Sequence, residues 1–236
     1  MERDGVIWGA LAVSLAGVIL IGAYMARPGE GVTQGGSSSI WALFVSICLL
    51  GAVATLLPHR CSPSRALPRD LDPSKFTIVF GVRLHHGHHI TCSRFQGHEH
   101  NIQGRSFCAS CTGMLAGSLA AIAVATLYFL YGWNPGRAFG YTGLACVVLG
   151  LLYIPLRIAR GPIQRSLINA LFVLGFSLIL STVDASGSAA FDLVVIGISV
   201  FWMFTRIQLS SWSYDRICDE CGEECWTGEP KSSTQP

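Results

Sequence analysis

Residues Thr112–Tyr131 read TGMLAGSLAAIAVATLYFLY, twenty residues without a charge. A helix of that length crosses a bilayer core of roughly 30 Å. Hydrocarbon favours a helix there, because it holds no water to satisfy open backbone groups. The segment overlapping its start, His85–Gly113, is the most polar part of the chain: HHGHHITCSRFQGHEHNIQGRSFCASCTG. It carries six of the seven histidines and three of the nine cysteines. Together the two stretches predict an all-α integral-membrane protein with a small Cys/His-rich module at the mouth of one helix.

The rest of the chain repeats the apolar pattern. It is 51% hydrophobic and 13% charged, against about 25% charge in a soluble domain. About six transmembrane helices are expected: Val6–Met25, Ile40–Leu57, Thr112–Tyr131, Phe139–Arg157, Ser166–Val183 and Ala189–Gln208. The first has Glu2 and Asp4 beside Arg3 and no small-residue cleavage site after it, so it reads as an anchor and not as a cleaved signal. The net charge of +2, without a basic patch interleaved with aromatics, excludes a nucleic-acid partner from the expectations. The expected surroundings are the lipid bilayer and the subunits of a membrane complex.

An even helix count puts both ends of the chain on one side. Fourteen of the sixteen Lys and Arg fall on that side, and only Arg27 and Arg137 on the other. The positive-inside rule then makes the protein a multi-pass cell-membrane protein with cytoplasmic N- and C-termini. The expected parts are two N-terminal helices (1–57), a cytoplasmic Cys/His-rich loop (58–111), a four-helix bundle (112–208) and a cytoplasmic Cys-rich tail (209–236). The outer loops are short, with a tight turn at Gly132–Gly136. Trp8, Tyr24, Trp41, Tyr131, Trp133 and Trp212 lie near helix ends, where aromatic belts sit.

Within the loop, residues 76–84 (FTIVFGVRL) read as a short strand or an interfacial segment. His98–Ile102 and Arg105–Cys108 flank Gln103-Gly104 and predict a β-hairpin that delivers Cys108 and Cys111 to the third helix.

Cys61, Cys92, Cys108, Cys111, Cys218, Cys221 and Cys225 fall on the cytoplasmic side, while Cys48 and Cys146 lie inside helices as small apolar fillers. Reduced cytoplasmic thiols in clusters are metal ligands or redox groups more often than disulfides. Cys108-x-x-Cys111 and Cys218-x-x-Cys221, each followed closely by glycine, have the spacing that lets two thiolates face one ion. Two groupings are open. A local site would use Cys92, His98, Cys108 and Cys111, with a second ion on Cys218, Cys221, Cys225 and a histidine from His85–His89, such as His88 or His89. A joined site would take Cys108, Cys111, Cys218 and Cys221, leaving Cys92 and Cys225 with His88, His89 or His98 for another ion. Short closure loops favour the local grouping. One or two zinc ions suit mixed thiolate and imidazole ligands, with an iron–sulfur cluster as the alternative.

A closed four-ligand zinc staples a loop that lacks a core and does no chemistry. A run such as His85–His89 can equally be solvated, and Glu99 can be an ordinary strand residue and not a base. No H-E-x-x-H occurs. Asp184 and Asp192 sit at the outer helix ends, and no series of buried carboxylates marks an ion path. Gly113-x3-Gly117 predicts close helix packing behind the cysteines. Arg160 and Arg165 serve topology or an anionic headgroup.

Cys92–Gly117, CSRFQGHEHNIQGRSFCASCTGMLAG, resembles a family of multi-pass prokaryotic, archaeal-type membrane proteins of unknown function. That family carries a cysteine–histidine segment and then F-C-A-x-C-x-G-x-x-x-G entering a membrane helix. His88-His89-x-x-Cys92 is similar to its His-His-Pro-Asp-Cys, with Ile90 and Thr91 in place of Pro and Asp. Gln164-Arg165-Ser166-x-x-Asn169 looks like a second family feature. The resemblance covers roughly residues 85–175. It implies the grouping of Cys92, His98, Cys108 and Cys111 and no substrate.

The expected function is therefore that of a membrane scaffold or complex subunit with a structural zinc module. The alternative is a membrane enzyme, either a thiol or quinone oxidoreductase using Cys108 and Cys111 or a metal-dependent hydrolase. Metal transport or sensing through His85–His89 stands third, against the lack of ligands inside the membrane.

Overall fold

The computed structural model describes residues 2–27, 38–56, 76–79, 82–85, 97–103, 105–134, 136–159, 161–185 and 188–221. Its helices are α1 (Glu2–Met25), α2 (Ser38–Leu56), α3 (Ala109–Tyr131), α4 (Arg137–Leu152), α5 (Pro162–Asp184) and α6 (Ala189–Cys221). Five are long and apolar enough to cross a membrane, and α4 is a shorter apolar helix. Ile19, Leu50, Leu119, Ile163, Leu167 and Val200 point outward and are exposed. An exterior of this kind fits hydrocarbon and not water, so the chain is a membrane protein.

The helices alternate in direction. Asp4 and Trp8 of α1 meet Trp212 near the end of α6, while Tyr24 stacks on Phe191 near its start. In α2, Trp41 donates to Thr126 of α3, and Gly51 lies over Ser118. Gly140 of α4 faces Thr182 of α5, and Gly150 faces Phe172. Asn169 of α5 is bonded to Arg206 of α6. Only α3 and α5 run parallel in direct contact: Gly113 lies on Ser166 and Gly117 on Ala170. Residues 2 and 221 are consequently at the same end of the bundle.

Two helix ends differ from expectation. Helix α4 stops at Leu152 and not at Arg157. Pro155 has no N–H for the next helical bond, and its ring disfavours helix just before it. The chain turns through Arg157 at φ 52°, and the Ile158 N–H bonds the Tyr153 carbonyl at 3.0 Å. Helix α6 runs on past Gln208 to Cys221, through residues expected to be tail. Nothing between Leu209 and Cys221 is glycine or proline. Leu209 is buried, and Trp212 donates to Asp4 at 2.7 Å, so packing on α1 supports the extra turns.

One apolar core joins all six helices, through residues such as Leu11, Phe44, Ala121, Val147, Phe172 and Trp202. The two N-terminal helices thus pack on the other four. Cys48 is buried in this core, as its filler role requires. Trp202 is fully buried and donates to the Ser14 carbonyl at 2.9 Å, which seats α1 on α6. The turn after α3 is closed by Gly132 in the left-handed region, φ 70°, whose N–H bonds the Tyr128 carbonyl.

Two antiparallel hairpins precede α3. Strands β1 (Phe76–Val79) and β2 (Val82–His85) pair with Phe76 opposite His85. Strands β3 (Glu99–Ile102) and β4 (Arg105–Cys108) pair with Glu99 opposite Cys108. The second hairpin turns through Gln103 at φ 51° and leads directly into α3.

Candidate functional site

The hairpin hands its last residue to the helix. Cys108 ends β4 and is the N-cap of α3, and Cys111 follows in the first turn. Cys108 is buried, Cys111 half-buried, and both are thiols. A helix N-terminus stabilises a thiolate, because its first N–H groups are not consumed by the helix.

Helix α5 holds this corner in place. The Ser166 hydroxyl donates to the Ala109 carbonyl at 2.7 Å, and His100 Nε2 lies 2.7 Å from the same hydroxyl. The serine proton is spent on Ala109, so His100 Nε2 is the donor to Ser166. Gly113 makes this approach possible: a Cβ there would stand 2.2 Å from the Ser166 carbonyl oxygen. The Gly113-x3-Gly117 face is thus the α3–α5 contact.

Helix α6 comes to the same corner. Tyr214 meets the His98 ring edge-on, with centroids 5.5 Å apart, and lies within electrostatic reach of both Cys108 and Cys111. Cys218 and Cys221 follow on the same continuous helix, four and seven residues on, which is roughly 6 and 10 Å of rise. Cys92, Cys225, His88 and His89 lie outside the described residues. Among the described residues, no three of His, Cys, Asp and Glu gather into a ligand set. His98, Cys108 and Cys111 therefore do not converge on one point there, and the His98 ring faces Tyr214.

A polar cluster that the sequence reading used only for topology lies beside this corner. Arg206 is fully buried in the bundle. It donates to the Tyr153 hydroxyl, to Ser210 and to Asn169 Oδ1 (2.9 Å), and its guanidinium lies 4.5 Å from the Tyr153 ring centroid. Asn169 in turn donates to Tyr153 at 3.1 Å and to the Arg165 carbonyl at 2.7 Å. Ser166 and Asn169, singled out by the resemblance, are thus the residues that tie α5 to the cysteine corner and to Arg206.

The opposite end of the bundle carries a second cluster. Tyr128 donates to Asp184 at 2.9 Å, and Asp184 is hydrogen-bonded to Asp192. Both carboxyl groups are buried, and Asp192 Oδ1 has no partner. Two carboxyl groups can bond each other only across a proton. Asp192→Asn supplies an N–H in place of that proton and is expected to melt within about 2 °C of the wild type, since the bond survives. Asp192→Leu strands the acceptor on Asp184 and is expected to cost about 1–3 kcal/mol. Equal destabilisation by both changes, followed by thermal unfolding in detergent, would contradict the shared proton.

No protein-family model, curated protein or solved structure matches the chain. Function has to be argued from the corner itself.

Proposed function

We propose that this chain is a six-pass membrane scaffold or complex subunit whose cytoplasmic face is closed by a structural zinc. In this reading Cys108 and Cys111 at the start of α3 share one ion with Cys218 and Cys221 at the end of α6. The observation that carries it is the continuation of α6 as helix to Cys221, with Tyr214 already against His98 and near both thiols. A rigid helix replaces the long closure loop that made the joined grouping unfavourable on entropy alone. Each pair stands at i and i+3, a spacing that puts neighbouring side chains about 5–6 Å apart on a helix.

All six helices cross the bilayer in this proposal, α4 included, because α4 lies antiparallel along α5 from Thr182 to Phe172. The cysteine end is cytoplasmic, where the basic residues of the long loop lie. A four-thiolate zinc has no open position, so its work is to hold α6 and the hairpin in one shape for partner subunits.

The second reading is a thiol or metal enzyme, favoured by the position of Cys108 at a helix N-terminus. Cobalt substitution separates the two. A closed site gives the strong absorption of tetrahedral cobalt–thiolate that is indifferent to added azide. A spectrum that changes with azide reveals an exchangeable position and overturns the structural reading.

A further inference from the structure

We infer that Arg165 and Arg206 are the counter-charge of the four-thiolate zinc centre and act as its positioning residues. The inference rests on the joined zinc reading and extends it by two residues that are not ligands. Both guanidinium groups lack a described anion. The partners of Arg206 are Tyr153, Asn169 and Ser210, all neutral, and its buried Nε has none. Arg165 donates to the Ala159 carbonyl at 3.3 Å, and its buried Nε is likewise unpartnered. The ionisable groups in electrostatic reach of Arg165 are Tyr153, Tyr214 and Arg206, with no carboxylate among them.

Two buried like charges repel, and each is costly to take out of water without an opposite charge. Arg206 exposes no surface, so an external anion such as a lipid headgroup has no described route to it. The thiols have one. Tyr214 is within electrostatic reach of Arg206 on one side and of Cys108 and Cys111 on the other. Ser166, next to Arg165, bonds the carbonyl of Ala109, next to Cys108. Zinc with four thiolates carries a net charge of −2, and the two arginines carry +2. The centre and the cluster therefore neutralise each other, and charged neighbours of this kind tune how tightly a metal is held.

The test is the rate at which a chelator removes zinc from the detergent-purified full chain. Arg206→Met and Arg165→Met are expected to release zinc on the order of 10-fold faster than wild type, and Arg206→Lys close to the wild-type rate. If Arg206→Met does not fold, half-buried Arg165 carries the test through Arg165→Met. Wild-type rates in the Met variants overturn the inference while the zinc reading stands. So does an Arg206→Lys that is as fast as Arg206→Met, because the role is then shape and not charge. A wild-type chain that holds no zinc overturns the zinc reading and this inference together.

Discussion

Gly113→Ala is expected to be the most damaging single methyl group in the protein. The added Cβ would stand 2.2 Å from the Ser166 carbonyl oxygen and 2.7 Å from its Cα. Both are backbone atoms, so no side chain can rotate away, and α3 and α5 must separate. Overpacking costs about 1–3 kcal/mol where side chains can adjust, and this contact belongs at the upper end. At roughly 2–4 °C per kcal/mol for a chain of this size, thermal unfolding in detergent should shift down by roughly 6–12 °C. Separation also pulls Ser166 from Ala109 and His100, so the cysteine corner loosens with the helices. Gly9→Ala is the control, since a Cβ there meets nothing within 4 Å. A Gly113→Ala chain that melts with the control would show that the parallel α3–α5 contact is not as described.

The second large effect is on the metal. Cys221→Ser is expected to abolish zinc binding although it lies far in sequence from Cys108. Two thiolates at a helix start do not close a tetrahedral site, and a structural zinc draws its tightness from four ligands held together. In zinc-finger peptides that binding is worth about 10–16 kcal/mol of apparent free energy. Here the apolar core stands without it, so the loss falls on the hairpin and the last turns of α6. The helices before Leu209 keep their packing.

Much of this was legible in the residues. The apolar runs marked every helix, and the turn residues Gln103-Gly104 marked the hairpin that carries Cys108. Gly113-x3-Gly117 announced a close contact, though not which helix would fill it. That gap has a physical cause. A membrane helix is apolar all round, so its sequence lacks the one-sided stripe that names a packing face. The pairing of Asn169 with Arg206, or of Asp184 with Asp192, could not be read from periodicity for the same reason. Pro155 was a visible stop for α4, and the unbroken run from Leu209 to Cys221 was a visible continuation of α6. Both were hidden by reading helix ends from hydropathy alone, which falls before the backbone bonding does. Counting Arg206 as a loop charge was part of the same error, because its partners come from α4 and α5.

Zinc per chain, measured on detergent-purified wild type, Cys108→Ser and Cys221→Ser, tests the central claim most directly. A single ion joining α3 to α6 predicts one zinc in the wild type and none in either variant. Two zincs in the wild type, falling to one in each variant, would contradict it and establish two independent sites, with the hairpin and the α6 end each holding its own.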